Sequence, residues 1–537
     1  MSEKKEINKK NSLKNSQRIY IILTIVMFVG YFGILLVFTH EKTNYHMDEI
    51  STYVAANNAM DNSVSINPEY NKKYLDPSEP YLSQMTVSEG HRFDYKNVIK
   101  IYSGDTHPPL YGLFIHTISS FFPGKFSKWI AGSVNILFSL LTLFCVQKIV
   151  ELLTKDRQCA IVISGLYCFC SGVISSATYF RMYHMAMFFA TLTVLILLKG
   201  FKRTSFWFYL LIGISVFLGV MTHYYMAVFA FFASGIYVIC QLVCREFKKA
   251  LYYVLDMIIA GTVYVILYPY AIYKMFGGND RSAEVFSNLN ASPSVFIGKV
   301  LRCSKLVDNQ LFSGFGLILL FFILLLGVIG IMKNRKMRQK TADKFDWIKW
   351  IIPSVSCLGY LITVSIMTVY ETPRYFYPIY ALVLLTVFSA VYYLWSKMLK
   401  KKIMLIIPIL IFALCTAYMF KSNVHYLYRG TSELLEQAEN LSQSDCVFVT
   451  MHPYDVNSSF LEVSKYNSVT FVSSFCPEDI EMADINPTQG LIIKHTPDIS
   501  MDVISSYVHE KWPELGEYVV IGEHSGAETA YFPYVFQ

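Results

Sequence analysis

About eleven apolar stretches of roughly 16 to 23 residues recur along this chain, near 20–38, 130–147, 159–177, 182–198, 206–221, 224–243, 251–273, 311–332, 350–369, 375–395 and 403–420. As helices rising ~1.5 Å per residue they would run ~24 to ~35 Å, about the ~30 Å thickness of the hydrocarbon core. A chain punctuated this way folds as a bundle of membrane helices. Charged residues make up only 16% of the 537, against about 25% in soluble proteins.

Basic residues orient the bundle, because short cytoplasmic loops collect Lys and Arg. The first 18 residues carry Lys4, Lys5, Lys9, Lys10, Lys14 and Arg18, which makes them a cytoplasmic basic tail. Alternate loops then hold Lys155 and Arg157; Lys199, Lys202 and Arg203; Arg245, Lys248 and Lys249; a run from Lys333 to Lys349; and Lys397 with Lys400 to Lys402. The opposing short turns contain only Arg181 in one, none around Thr222-His223, and Arg374 in another. The expectation is a multi-pass cell-membrane protein with a cytoplasmic N-terminus and, from the odd span count, an extracytoplasmic C-terminal domain. The first span is too long for a cleavable signal and reads as a retained anchor. The net charge of +7 does not imply nucleic acid, because no basic cluster sits among base-reading elements.

Residues 19–420 form the expected transmembrane domain, interrupted by external loops at about 40–128 and 274–310. Beyond 421 the pattern changes. Cys446–Val449, Val469–Val472, Leu491–Ile493 and Tyr518–Ile521 read as short buried strands, with helical patterns near 456–466 and 500–510. The fold class is thus a polytopic α-helical membrane protein with about eleven transmembrane helices. It has a large first external loop containing interfacial helices, and a small external α/β domain at 421–537. That domain lacks a glycine-rich phosphate loop, which argues against nucleotide binding. Cys446 and Cys476 are the only plausible external disulfide pair, and nothing in their spacing demands a bond.

The residues that stand out for chemistry lie at the external boundary. Asp48-Glu49 directly follows the first span. Asp105-Thr106-His107-Pro108-Pro109 looks like a helix start, with Asp or Thr as cap, prolines in the first turn, and an apolar stripe from Leu110 to Phe122. That helix lies in the interface plane or packs on the bundle. Arg181-Met182-Tyr183-His184, His223-Tyr224-Tyr225 and Arg374-Tyr375 share the same side. Tyrosine belts and snorkelling arginines are ordinary at membrane interfaces. Two arginines and His107 facing a carboxylate pair point instead to an anionic ligand, because guanidinium binds phosphate bidentately. A divalent metal held by His46, Asp48, Glu49 and His107 is conceivable, but no ligand pair has i, i+4 spacing, so none is favoured.

Asp48-Glu49 after the first span, His107-Pro108-Pro109-Leu110-Tyr111 late in the first loop, Arg181-Met182-Tyr183, and Arg374-Tyr375 with Pro378 together resemble the polytopic type C glycosyltransferases. The likeness is to bacterial relatives of protein O-mannosyltransferases and lipid A aminoarabinose transferases, over about residues 18–400. The resemblance implies a polyprenyl-phosphate sugar donor, inversion at the anomeric carbon, Asp48 as general base and no cofactor. Glu49 then orients Asp48 or the acceptor. Arg374, Arg181 and His107 would contact the donor phosphate, although some relatives have Lys or Arg in place of His107. His46, Tyr111, Tyr183, His184, His223, Tyr224 and Tyr375 are candidates for the substrate pocket. The acceptor, whether glycan, lipid or protein, is not specified, and membrane lipid would surround the prenyl tail.

Two rival functions remain open from sequence. A transporter or flippase would place ionisable or helix-breaking residues at mid-membrane in repeated halves, and few charges lie deep in these spans. A non-catalytic component of surface-polysaccharide assembly would tolerate loss of the Asp48 charge.

Overall fold

The computed structural model describes residues 2–60, 62–277, 280–318, 320–321, 325, 345–396, 424–450, 456–472, 490–495, 501–521 and 532–536. It opens with helix α1 (Ser2–Glu41), whose apolar part Gln17–Glu41 is long enough to span a membrane. The segment after it, expected as the first external loop, folds into α2 (Met47–Asn57), α3 (Glu79–Met85), α4 (Tyr95–Gly104) and α5 (Leu110–Ser119). The bundle continues as α6 (Lys128–Thr154), α7 (Arg157–Cys168), α8 (Ser171–Thr178), α9 (Tyr183–Gly200), α10 (Phe206–Thr222), α11 (Tyr225–Val243) and α12 (Phe247–Leu267).

Among the described residues seven helices are long and apolar enough to cross a membrane, and α7 with α8, bent by 55° at a short break, make an eighth span if taken together. With that pair and the slightly shorter α10 included, nine of the expected stretches coincide with apolar helices. The stretch at 403–420 lies outside the described residues, and so does half of 311–332. The mostly helical architecture agrees with the expected class.

The segment expected as the second external loop forms α13 (Tyr270–Phe276), α14 (Asp280–Leu289) and α15 (Pro293–Phe312). Two further spans follow, α16 (Phe345–Met367) and α17 (Tyr377–Ser396). Helix α9 is the most enclosed span. Glycine permits a close approach of α6 to α1: a Cβ on Gly132 would lie 2.9 Å from Thr39 Cγ2.

Helix α5 packs on the bundle. Tyr111 and Ile115 are buried, and the Phe114 ring meets Phe138 of α6 edge-on at 5.5 Å. Its start differs from expectation. Pro109 is the cap residue, and Asp105 instead closes the end of α4 through its own backbone N–H, 3.2 Å from the Tyr102 carbonyl. The two prolines hold the chain out of helix before α5, which leaves Asp105 and His107 outside both helices.

The C-terminal region builds on a six-stranded sheet comprising β1 (Lys73–Tyr74), β2 (Asp445–Val449), β3 (Ser468–Val472), β4 (Leu491–His495), β5 (Tyr518–Val520) and β6 (Phe532–Phe536). Its order is β1-β3-β2-β4-β6-β5. Strand β2 runs parallel to β3 and β4, whereas β6 runs antiparallel to β4 and β5. Cys446, Phe448, Val469, Phe471 and Ile492 face the core shared with the first loop. Val447, Val449, Val472, Leu491 and Ile493 pack on the opposite side, against Ile504 and Val508 of the helix Met501–Lys511. Burial on both faces is why these strands read as continuous apolar runs.

Strand β1 comes from the first external loop, pairing Lys73 with Thr470 and Tyr74 with Val469. The sheet is therefore closed by a segment almost 400 positions earlier, and is not made from the C-terminal residues alone. Cys446 is a buried free thiol, and Cys476 lies outside the described residues.

Candidate active site

The site begins with the first turn of α2. His46 is its N-cap: its Nδ1 accepts the Asp48 N–H at 3.1 Å, while Glu49 Oε2 accepts the His46 N–H at 2.6 Å. This reciprocal pair satisfies two orphan helix donors. Because its Nδ1 is an acceptor here, His46 is neutral and its 3.7 Å approach to Asp48 Oδ2 is not an ion pair. Burial lowers its pKa to about 4, with Arg374 and Arg181 adding to the effect and Asp48 opposing it.

Successive helix positions point about 100° apart, and the two carboxylates separate accordingly. Glu49 turns inward. Its Oε1 accepts the Phe180 N–H at 2.6 Å and lies 3.0 Å from Lys42 Nζ, with both side chains sealed from solvent. Lys42 also donates to the Tyr426 carbonyl at 2.5 Å. Burial pushes the Glu49 carboxyl up and the Lys42 ammonium down, against the ion pair that favours both charges.

Asp48 turns outward, with its side chain 29% exposed. Its Oδ2 accepts from Arg374 Nη1 at 2.7 Å and from the Tyr179 hydroxyl at 2.9 Å, and its backbone carbonyl accepts from Arg181 Nη1 at 2.9 Å. Its Oδ1 accepts no hydrogen bond from any described residue. Burial alone would raise the Asp48 carboxyl, but Arg181, His46, Arg374 and the Tyr179 hydroxyl hold it well below the usual carboxylate range.

Arg181 sits in the turn between α8 and α9. Its Nη1 also bonds Thr52 Oγ1 at 2.7 Å and its Nη2 lies 3.3 Å from His107 Nε2. Guanidinium only donates, so His107 Nε2 accepts. That leaves Nδ1 facing Asp105, 3.4 Å from Oδ2. The Nε of Arg181 is buried with no partner among the described residues. Arg374 enters from the 3₁₀ turn Pro373–Phe376 ahead of α17.

Aromatic rings wall the cluster. Tyr183 lies 5.3 Å from the His223 ring and 6.3 Å from Tyr375, and His223 lies 6.2 Å from His107. The segment leading into the C-terminal sheet passes here as well. The Tyr426 ring stacks on Tyr179 at 4.0 Å. Tyr426 and Tyr428 both have positive φ, 66° and 56°, a conformation that costs a non-glycine residue on the order of 1–3 kcal/mol.

The structure therefore gathers Asp48, Arg374, Arg181, His107, His46, Tyr183, His223 and Tyr375. Three other candidates stand elsewhere. Tyr111 is buried and bonds Asn135 Oδ1 at 3.0 Å; Asn135 in turn donates to the Ala177 and Tyr179 carbonyls, behind the site. His184 is enclosed between spans, bonded to Ser176 Oγ at 2.7 Å. Tyr224 packs beside Tyr264 and Tyr268. Sequence reasoning passed over Lys42, Tyr179 and Tyr426, and read Asp105 only as a helix cap. Tyr179 had a local signal, standing two residues before Arg181 in the same turn; Tyr426 had none. Among the described residues no group of three or more His, Cys, Asp or Glu could hold a metal.

Residues 95–278, about a third of the chain, match the family model described as dolichyl-phosphate-mannose-protein mannosyltransferase. That stretch includes His107, Arg181, Tyr183 and His223 and excludes Asp48 and Arg374. No curated protein sequence matches the chain. Similar solved structures include the archaeal oligosaccharyltransferase AglB from Archaeoglobus fulgidus in complex with an inhibitory peptide and a dolichol-phosphate, 10% identical, covering 91% of this chain and 72% of that one with a TM-score of 0.39. Another is the Archaeoglobus fulgidus oligosaccharyltransferase tethered by a disulfide to an acceptor peptide containing the NVT sequon, 12% identical, covering 86% and 64% with a TM-score of 0.37. Scores this low carry no weight for the chemistry. The chain is similar to polytopic type C glycosyltransferases.

Proposed function

We propose that this membrane protein is an inverting glycosyltransferase that moves a sugar from a polyprenyl-phosphate donor to a cell-envelope acceptor at the extracytoplasmic face. The observation that carries the reading is the Asp48 carboxylate, held on one oxygen by Arg374 and Tyr179 and accepting no hydrogen bond from the described residues on the other, with Arg181 and His107 beside it.

In this reading the acceptor hydroxyl approaches Asp48 Oδ1 and gives up its proton as its oxygen bonds to the anomeric carbon. The bond from that carbon to the phosphate oxygen breaks on the opposite face, its electron pair stays on the phosphate, and polyprenyl phosphate leaves. The developing charge needs fixed positive partners, which Arg374 and Arg181 supply, with His107 as a further contact. A carboxylate with a depressed pKa remains ionised throughout the neutral range, so the base needs no prior deprotonation. Glu49 acts as a positioning residue, because its oxygens are committed to Lys42, Phe180 and His46. A resident metal is not favoured in this reading, because Arg374 and Arg181 are the groups assigned to the leaving group's charge.

The test is transfer from a panel of radiolabelled polyprenyl-phosphate sugars to total cell-envelope acceptors, comparing membranes with the unaltered protein and Asp48→Asn at equal expression. A labelled product lost in the variant supports the transferase and identifies its sugar. Equal labelling, or none from any donor, favours transport or an assembly role.

A further inference from the structure

Tyr179 donates to the same Asp48 oxygen as Arg374, and its ring lies nearly parallel to two others. Tyr426 stacks on it at 4.0 Å and 16°, and Tyr183 lies at 5.8 Å and 10°. A phenol hydroxyl moves with its ring, so a ring packed against its neighbours in this way has its hydroxyl direction restrained as well.

Tyr426 is brought to this place by a strap under several constraints. The Thr43 N–H bonds the Leu427 carbonyl at 2.8 Å, the His425 N–H bonds Ser175 Oγ at 3.0 Å, and the Thr178 hydroxyl bonds the His425 carbonyl at 3.0 Å. Lys42 holds the Tyr426 carbonyl itself. These contacts sustain the left-handed backbone at 426 and 428, which the surrounding structure must over-determine to persist.

We propose that Tyr426 is a positioning residue of the transferase site: it pins the Tyr179 ring so that the Tyr179 hydroxyl holds Asp48 Oδ2 and leaves Oδ1 turned towards the acceptor. This rests on the reading of Asp48 as the base. It gives the segment leading into the C-terminal sheet a direct part in the chemistry, whereas the donor phosphate is left to Arg374 and Arg181. Arg374 Nη1 also donates to the Tyr179 hydroxyl at 3.1 Å but keeps its own bond to Asp48 Oδ2, so loosening the stack slows proton removal more than it weakens donor binding.

Transfer from a radiolabelled polyprenyl-phosphate sugar is measured at equal amounts of folded protein for Asp48→Asn, Tyr179→Phe, Tyr426→Ala, Tyr426→Phe and the double variant Tyr179→Phe/Tyr426→Ala. Tyr426→Ala is expected to lower kcat about tenfold, the order of one hydrogen bond to a charged group, with the donor KM nearly unchanged. Tyr426→Phe, which keeps the flat ring, restores most of the rate. Tyr179→Phe falls by a similar factor, and the double variant is no slower than Tyr179→Phe alone. A further tenfold loss in the double variant, an unchanged kcat in Tyr426→Ala, or a loss seen only in donor KM overturns the proposal. If Tyr426→Ala does not accumulate, Tyr426→Leu, which fills the space without the flat face, carries the same expectations. Full transfer by Asp48→Asn removes the base reading itself, and the role of Tyr426 falls with it.

Discussion

The charged groups around Asp48 and those around Glu49 start one residue apart and end in opposite surroundings. Asp48 keeps one oxygen open beside two arginines and a histidine, whereas Glu49 is sealed with Lys42 and two backbone N–H donors. A second sealed pair, Lys494 with Glu462, sits under the C-terminal sheet, where Tyr466 also bonds Glu462 at 3.0 Å. Sealed pairs with every oxygen committed fix chain segments to one another. The Asp48 carboxylate, with one oxygen that no described residue engages and two arginines nearby, suits the ligand site proposed above. The difference teaches that adjacency in sequence is a poor guide to shared role.

This contrast predicts different damage on the two sides. Asp48→Asn should lower transfer by about 10²–10⁴, the usual weight of a positioned base, while thermal unfolding of the solubilised protein moves less than it does for Glu49 variants. Retained transfer would erase the distinction. Lys42→Met leaves Glu49 as a buried carboxylate without its cation and should destabilise by about 3–5 kcal/mol, read as a large drop in Tm or in folded yield. An unchanged Tm would place Glu49 in the open class with Asp48.

A third effect lies at the junction of the two. His46 is neutral when folded, with a pKa of about 4, against about 6.5 unfolded. The unfolded state binds the extra proton first, so stability declines as pH falls below about 6.5 and the decline is complete near 4, amounting to about 3 kcal/mol. His46→Asn still offers a cap acceptor but does not titrate, and should flatten the Tm profile across that window. An identical slope in the variant would move the effect to another group. The smallest change is expected from Lys73→Met. It breaks the 2.9 Å pair with Asp445, but Asp445 keeps Asn467 and Ser468 as donors. A partly exposed pair of this kind contributes about 1 kcal/mol or less, and transfer should not change.

Much of the scaffold was legible. Long apolar stretches mark helices because hydrocarbon leaves no alternative for the backbone. The C-terminal strands stood out because β2, β3 and β4 are apolar on both faces. Strand β1 was invisible, since Lys73-Tyr74 is two residues long and owes its conformation entirely to β3. The placement of Asp105 also escaped, because Pro108 and Pro109 suggested a first turn when they precede it.

At the site, residue types were readable and their commitments were not. Asp48, Arg181 and Arg374 could be picked out because charges at span ends demand partners. That Glu49 faces inward depends on Lys42, Phe180 and the cap geometry of His46, which no spacing rule expresses. Tyr426 lies 247 positions beyond Tyr179 in a chain with 39 tyrosines, and composition cannot tell which of them stack.

The contacts that close the site also set a clock on its assembly. Thr43 meets Leu427 and Ile66 meets Asn457 across 384 and 391 positions. At a synthesis rate of ~5–20 residues per second, the later partner appears on the order of 20–80 s after the earlier one. During that interval a nascent chain has Asp48 and Arg181 but no strap beside them and no β3 for β1 to join. The site matures only once the last segments have emerged.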